Sequence, residues 1–299
     1  MQSSMSGAVA PCLEPDSSST IRRPGLVAVG QGQPVVLLHG SMSSKGQWKA
    51  LMHRLAPRFQ AIAVDLHGYG DNPPPTTRRS FSVDDEIDFV LSRLDDVLGR
   101  QTPMHLVGHS YGGLVALRFA QRYRTRALSL ALYEPMVLSL FAADDPVARC
   151  VHQGGRTLTA FVNMRRNHEA AQVCIDLWSG EGTFETLPLP ARAKSAAAAP
   201  QTALNYEAEV CCPMQLDDFR SIHTPTLLLG GARSPEAVQR IVTMLSTALP
   251  NSSVNWLDAN HMAPIGASEL VDPSIATFIA TVAARTRDPG GTPGTKRGD

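Results

Sequence analysis

The sequence predicts an α/β fold with a doubly wound, mostly parallel sheet. Short apolar runs alternate along the chain with longer segments of helical periodicity, and each run stops at a glycine or a polar residue. Strands that are apolar throughout are typical of a sheet that helices cover on both faces. Strand–helix alternation joins such strands in parallel through right-handed crossovers, and ligands then bind beyond the carboxyl ends of the strands.

The chain of 299 residues is long enough to form one large domain of this kind. The apolar runs predict strands at 34–38, 61–64, 104–107, 127–133, 226–229 and 253–257. The segments between them predict helices at 83–98, 114–123, 235–249 and 273–284.

One long segment, 135–222, interrupts this alternation. It contains no evident strand, while helical periodicity covers 146–165 and 169–178 and an Ala-rich stretch covers 188–200. An insertion of this length between two core strands lies at the edge of the sheet where ligands bind. The segment is therefore predicted to form a helical cap.

The rest of the chain divides into a core and two tails. We expect the α/β core to consist of 21–134 and 223–284. The segments 1–20 and 285–299 lack hydrophobic periodicity and are rich in small residues and proline, so they are predicted to be a disordered arm and tail.

Composition narrows the class of protein. Lys plus Arg and Asp plus Glu balance at 27 each, so we expect no nucleic-acid partner. No apolar run has the length of a membrane-spanning helix, and the first residues lack the features of a secretory signal.

The five cysteines are scattered and odd in number, which favours reduced thiols and a cytoplasmic protein. Neither metal-ligand spacing nor a dinucleotide fingerprint is evident, so we expect a small-molecule substrate and no cofactor or metal, and the oligomeric state stays open.

The segment Gly108-His109-Ser110-Tyr111-Gly112-Gly113 carries the strongest chemical signal. It follows a predicted strand and opens a predicted helix, which is the context of a G-x-S-x-G nucleophile elbow. The turn is so tight that glycines are needed two residues before and after the serine. We therefore predict Ser110 as a nucleophile, the alternative being a chance match in a glycine-containing loop.

A serine hydroxyl is a weak nucleophile and needs a base with a pKa near neutral. Asn260-His261-Met262 follows the last predicted strand, which places an imidazole at the same edge of the sheet as Ser110. We predict His261 as this base, and we expect His109 to be a packing or hydrogen-bonding residue.

These motifs, together with His39-Gly40 and the segment 65–70, resemble the α/β-hydrolase superfamily over roughly residues 25–284. The resemblance is greatest to small, capped, bacterial esterase-like members. It implies an oxyanion hole formed by the backbone N–H groups of Tyr111 and Ser41, which would be a large electrostatic contribution to acyl transfer. Met42 is one residue further along and is expected to line the substrate pocket.

The third member of the catalytic triad departs from the common pattern. Most relatives carry an Asp after the strand equivalent to 226–229, but here Ser234 stands at that place and cannot hold a charge opposite an imidazolium. We predict instead Glu134, which ends the strand 127–133; certain haloalkane dehalogenases carry their acid at this position. Glu236, Asp258, or a Glu134 that only caps a loop are the alternatives.

Apolar residues of the cap are candidates for the substrate pocket, although they could equally pack the cap onto itself. They are Met136, Leu138, Leu140, Phe141, Phe161, Met164 and Trp178.

The sequence thus predicts a serine hydrolase that cleaves a small apolar ester or related acyl substrate through a covalent acyl-enzyme. A serine nucleophile argues against dehalogenase or epoxide-hydrolase chemistry, which needs a carboxylate. An acyl transferase, lyase or cyclase, and an inactive ligand-binding protein, are the alternative functions.

Overall fold

The computed structural model describes residues 20–77, 81–142 and 144–287. In this part of the chain, eight strands form one sheet in the order β1-β2-β4-β3-β5-β6-β7-β8. The strands are β1 (Ile21–Arg23), β2 (Leu26–Val29), β3 (Gln33–Leu38), β4 (Phe59–Val64), β5 (Met104–His109), β6 (Ala127–Tyr133), β7 (Thr226–Gly231) and β8 (Ser252–Leu257). The pairings from β4 through β3 to β8 are parallel, and β1 and β2 add an antiparallel edge. The predicted fold class is thereby confirmed.

Helices separate the parallel strands. They are α1 (Lys49–Leu55), α2 (Val83–Leu94), α3 (Tyr111–Arg122), α4 (Pro146–Asn163), α5 (Asn167–Ser179), α6 (Thr183–Thr186), α7 (Leu189–Val210), α8 (Leu216–Arg220), α9 (Glu236–Ala248), α10 (Ala263–Gly266) and α11 (Ser268–Arg287). The predicted tail was wrong at its start, because 285–287 form the last turn of α11. The rest of that tail, 288–299, and the predicted arm 1–19 lie outside the described residues.

The sheet has an apolar core on each face, which explains why its strands are apolar throughout. In β3, Val36 and Leu38 face the core that contains residues of α2, α3 and α9. Val35 and Leu37 face the opposite core, which α1 and α11 complete. Because successive side chains of a strand point to opposite faces, both sets must be apolar.

The edge strands β1 and β2 had no equivalent in the sequence prediction. All three residues of β1 are exposed, and β2 alternates between buried and half-buried residues. β1 reads Ile-Arg-Arg and gives no apolar run, whereas β2 reads Leu-Val-Ala-Val, a four-residue apolar run that the sequence prediction did not include.

Helices α4 to α8 all stand between β6 and β7, within the segment predicted as the cap. The long helix α7 extends well beyond the Ala-rich stretch recognised in the sequence and contains Pro200 in its interior. Its buried residues include the polar side chains of Gln201, Thr202, Asn205 and Glu209. Buried polar side chains are uncommon on a helix, and they usually form hydrogen bonds with neighbouring elements.

The remaining features of the fold concern membrane-spanning helices, metal-binding clusters and cysteines. No helix in the described ranges is long and apolar enough to cross a membrane. Within those ranges, too, no group of three or more His, Cys, Asp or Glu side chains is arranged to hold a metal ion. Cys150, Cys174, Cys211 and Cys212 are free thiols, and Cys12 lies outside the described residues.

Candidate active site

Ser110 lies at the sharp turn between β5 and α3. Its φ of 54° and ψ of −120° are strained for a residue with a side chain. A Cβ on Gly108 would lie 2.6 Å from the Gly112 carbonyl oxygen, and a Cβ on Gly112 would lie 2.5 Å from the His39 carbonyl oxygen. Both glycines are therefore required for the turn, which presents the serine side chain above the carboxyl ends of the strands.

The imidazole of His261 faces this serine. His261 lies in the loop between β8 and α10, and its Nε2 is 3.1 Å from Ser110 Oγ. Two hydrogen bonds to the backbone hold that loop. His109 Nε2–H donates to the His261 carbonyl oxygen at 2.9 Å, and the Tyr133 hydroxyl donates to the Asn260 carbonyl oxygen at 2.7 Å. His109 thus has the structural role expected of it, and burial together with the neighbouring His261 lowers its pKa.

Glu134 follows β6 and is completely buried. Its Oε2 accepts a hydrogen bond from His261 Nδ1 at 2.7 Å, and its Oε1 accepts one from the Gly231 N–H at 2.6 Å. Because a carboxylate only accepts hydrogen bonds, the His261 proton is assigned to Nδ1. Nε2 then presents its lone pair to Ser110, which is the orientation that a general base requires.

The other candidate acids point elsewhere. The Asp258 side chain is 85% exposed and lies 3.3 Å from Arg233, and the Glu236 side chain is 72% exposed and lies 3.9 Å from Arg240. Ser234 is buried, and its hydroxyl has no hydrogen-bond partner within the described part of the chain. Of these acidic residues, only Glu134 contacts the imidazole.

The loop after β3 lies against the elbow. Burial lowers the pKa of His39 to about 4, so its ring is neutral. Its Nδ1–H donates to the Gly40 carbonyl oxygen at 2.7 Å, and its Nε2 accepts from the Leu66 N–H at 3.0 Å. A Cβ on Gly40 would lie 2.8 Å from His109 Nδ1, so only glycine permits this approach. These contacts place Ser41 beside the nucleophile.

A cavity of about 790 Å³, part of it open to solvent, lies between the core and the cap. Ser110, His261 and Ser41 line one side of it. The remaining lining is mainly apolar and comprises Met42, Met136, Val151, Leu158, Cys174, Ile175, Leu177, Trp178 and Met262, together with the polar Thr202, Tyr206, Ser179 and Glu209. The candidate nucleophile therefore opens into a cavity that the core and the cap line together.

The sequence profile of the Alpha/beta hydrolase family matches residues 35–272. The chain belongs to the alpha/beta hydrolase family. The match includes most of β3, the elbow, the whole cap and the His261 loop, and so covers every part of the candidate site.

Individual relatives of this chain are named as hydrolases. A pimeloyl-[acyl-carrier protein] methyl ester esterase of Xanthomonas campestris pv. campestris is 26% identical over 264 residues, covering 85% of this chain and 98% of the esterase. A soluble epoxide hydrolase of Corynebacterium sp. is 34% identical over 134 residues, 42% of this chain, so the chain spans only 44% of that relative. Three further curated relatives are likewise covered over less than half their length. The solved structure of a thermophilic esterase from Thermogutta terrifontis, with malate bound, has a TM-score of 0.68 at 25% identity and covers 88% of this chain and 97% of its own.

The structure corrects two of the predicted pocket residues. Met42, Met136 and Trp178 line the cavity, but Phe141 and Phe161 do not. Phe141 packs beside the core with the Arg240 guanidinium 5.1 Å from its ring centre, and Phe161 lies under the Arg166 guanidinium at 4.7 Å. The cap helices have apolar residues on more than one face, and only tertiary packing decides which face turns to the cavity.

Of the other cap candidates in the hydrolase, Leu138 and Leu140 pack with the main core and Met164 is 65% exposed. Asp65, the first residue of the segment 65–70, does not line the cavity. Asp65 accepts hydrogen bonds from the Lys45 N–H and Nζ, both at 2.6 Å, and from the Asp71 N–H at 3.1 Å.

Sequence reasoning missed a buried polar network that joins the cap to the Ser41 loop. Asn205 Nδ2 on α7 donates to Ser41 Oγ at 3.0 Å and to the Tyr69 hydroxyl at 3.1 Å. The Tyr69 hydroxyl also pairs with Thr202 Oγ1 at 3.1 Å, and Gln201 Nε2 donates to Asn205 Oδ1 at 3.0 Å. The helical spacing of these polar residues in an Ala-rich segment was the signal that could have revealed them.

Proposed function

We propose that this hydrolase cleaves carboxylic esters through a covalent intermediate on Ser110. The observation that carries the proposal is the continuous chain from buried Glu134 through His261 to Ser110, with contacts of 2.7 Å and 3.1 Å. A nucleophile, a base and a group that orients the base, in this order and at these distances, constitute a catalytic triad. The proposal includes a cytoplasmic location and a small-molecule substrate, with no nucleic-acid or membrane partner.

Catalysis would proceed in two steps. Ser110 Oγ attacks the ester carbonyl carbon while its proton moves to His261 Nε2, and the resulting imidazolium is stabilised by Glu134. The tetrahedral intermediate collapses as Nε2–H protonates the departing alkoxide, which leaves an acyl-serine. Water then repeats the sequence with His261 as its base, and the acid is released.

Two backbone amides would stabilise the tetrahedral oxyanion. The Tyr111 N–H belongs to the first turn of α3, where backbone donors have no acceptor within the helix. The Ser41 N–H belongs to the loop that His39 holds against the elbow. Donors fixed before the reaction stabilise the developing charge without reorganisation, and removing one of them typically costs about 10²–10³ in kcat.

The nucleophile separates this proposal from the functions of some relatives. The elbow carries a serine, whereas epoxide-hydrolase and dehalogenase chemistry uses a carboxylate at that place. The similarity to an esterase over 85% of the chain supports ester cleavage instead. The apolar lining of the cavity favours an acyl chain or an aromatic ring.

A fluorophosphonate probe tests the nucleophile. We expect wild type to bind one equivalent and to hydrolyse short aryl esters, and Ser110→Ala to do neither. Ser92→Ala is the matched control, since Ser92 is an exposed serine on α2 and its replacement should change nothing. Absence of labelling in wild type would refute the proposal in favour of a binding protein. Transfer of the acyl group to an added alcohol or amine, without release of acid, would refute it in favour of an acyl transferase.

A further inference from the structure

One carboxyl in the cavity has no part in the proposed chemistry. Glu209 lies near the carboxyl end of α7, is 8% exposed, and lines the same cavity as Ser110 and His261. Within the described ranges its side chain forms neither a hydrogen bond nor an ion pair with the protein. A carboxyl that is nine-tenths buried and has no partner is costly unless a ligand supplies one.

The described surroundings of Glu209 provide no positive group that would stabilise its ionised form. Among the described residues that line the cavity there is no Lys or Arg, and Glu209 is the one carboxyl. The titratable groups whose pKa its charge affects are Tyr111 on α3, Cys174 on α5, and Tyr206 and Cys212 at either side of it in the chain, all of which are neutral at neutral pH. Burial alone raises the pKa of Glu209 to about 8. The protein thus holds an acidic group in the pocket but provides no cation for it.

Two aromatic side chains line the cavity together with this carboxyl. Trp178 stands on α5 with its ring centre 5.7 Å from that of His261, and Tyr206 precedes Glu209 by less than one turn of α7. Aromatic faces attract cations, and a carboxylate forms its strongest hydrogen bonds with a charged donor. An anionic substrate group would meet no positive side chain among the cavity residues described above.

We propose that Glu209 is a specificity residue that selects substrates carrying an ammonium group. This inference rests on the proposed ester hydrolysis and adds the substrate class: an amino-substituted ester, whose ammonium group binds the carboxyl while its ester carbonyl faces Ser110. The ammonium group of the substrate supplies the charged hydrogen-bond donor that Glu209 lacks within the described part of the protein. The binding free energy therefore depends on the charge of the ligand and not only on its apolar surface.

The test compares ligands of equal length that differ in one terminal group. The substrates are the p-nitrophenyl esters of 6-aminohexanoate, 6-hydroxyhexanoate and heptanoate, each assayed for kcat/KM above pH 8, where the Glu209 carboxyl is ionised. We expect wild type to prefer the amino ester over both neutral esters by at least about tenfold, the value of one charge-assisted hydrogen bond. In Glu209→Gln this ratio should fall to about one. Because the ratio is taken within one preparation, it does not depend on the fraction of protein that folds.

Glu207→Gln is the matched control, since Glu207 is an exposed carboxyl on the same helix and its removal should leave the preference intact. Calorimetric binding of hexylammonium, compared with hexanol, gives a readout that needs no turnover, so a failure of the proposed hydrolysis is distinguishable from a failure of this inference. Equal binding of the two ligands by wild type, a preference for the hydroxyl compound, or a preference for the cation that survives in Glu209→Gln would each overturn the assignment.

Discussion

Replacing Glu134 with glutamine changes one charged oxygen for an amide nitrogen and leaves the shape of the side chain almost unaltered. The consequence follows from its second hydrogen bond. The Gly231 N–H is a fixed backbone donor 2.6 Å from Oε1, so the amide oxygen of Gln must take that position. The amide NH₂ then faces His261 Nδ1, which lies 2.7 Å from the other carboxyl oxygen in the wild type. A donor at this place stabilises the tautomer of His261 that carries its proton on Nε2.

That tautomer cannot act as the base. Its Nε2–H points at Ser110 Oγ, 3.1 Å away, so it has no lone pair to accept the serine proton. In the productive tautomer, the His261 Nδ1–H would face the NH₂ of the introduced glutamine, and neither buried donor would have an acceptor. The imidazolium formed during catalysis would also lack the carboxylate that stabilises it. The corresponding Asp→Asn change in a Ser-His-Asp protease triad lowers kcat by roughly 10⁴. We expect Glu134→Gln to lower kcat on short aryl esters by about 10³–10⁴, or roughly 4–5.5 kcal/mol in activation free energy, with KM nearly unchanged.

The assay follows p-nitrophenol release by wild type, Glu134→Gln and Glu236→Gln, together with the rate of labelling by a fluorophosphonate. Glu236→Gln removes an exposed carboxyl that stands near the usual acid position, and its activity should stay within about twofold of wild type. A loss of less than about tenfold in Glu134→Gln would refute the reasoning. It would mean that Ser110 and His261 work as a dyad and that the buried glutamate only stabilises the fold.

Three further predictions follow from the same structure. Adding Ser234→Asp to Glu134→Gln should recover at least about tenfold in kcat, because a carboxylate returns at the position where most relatives carry it; the assay is aryl-ester hydrolysis. Asn205→Val should lower kcat by about tenfold with little change in KM, because Ser41 Oγ loses its buried hydrogen bond; steady-state kinetics measure both constants. The free energy of unfolding of Glu209→Gln relative to wild type should increase by roughly 4 kcal/mol from pH 5 to pH 8, and urea unfolding at both pH values measures it.

The expected gain in stability of Glu209→Gln follows from the raised pKa of the Glu209 carboxyl. In the folded protein the pKa of Glu209 is raised from 4.5 to about 8, so the folded state holds this proton more tightly than the unfolded state. The stabilisation is fully present below pH 4.5 and is lost as the pH rises to about 8. Glutamine does not titrate and escapes this loss. A stability difference that stays constant with pH, or equals that of Glu207→Gln, would contradict the burial of an unpaired carboxyl.

The parts of the site that sequence reasoning reached are those fixed by local geometry. The glycines around Ser110 are needed because of contacts within a few residues of the turn and with the adjacent strand, so the motif itself carries the information. Glu134 could be proposed because it stands at a strand end, and strand ends meet at one edge of a parallel sheet. The structure brings its carboxyl within hydrogen-bonding distance of His261.

The cap could not be derived in the same way. Phe161 and Trp178 both lie on amphipathic cap helices, yet only Trp178 lines the cavity. Periodicity shows that a helix has an apolar face but not which neighbour that face meets. Asn205 and Glu209 were missed for a related reason, because polar residues in an Ala-rich segment are read as solvent-exposed until their burial is known.

One face of α7 connects binding with catalysis. Gln201, Asn205 and Glu209 recur at every fourth position and are all buried on the same side of the helix. Gln201 lies against Gly68, where a Cβ would be 2.6 Å from its amide oxygen; Asn205 holds Ser41; and Glu209 reaches the cavity. Under the proposed function, the residue that recognises the charged group of the substrate and the residue that hydrogen-bonds the Ser41 loop therefore stand on one face of the same helix.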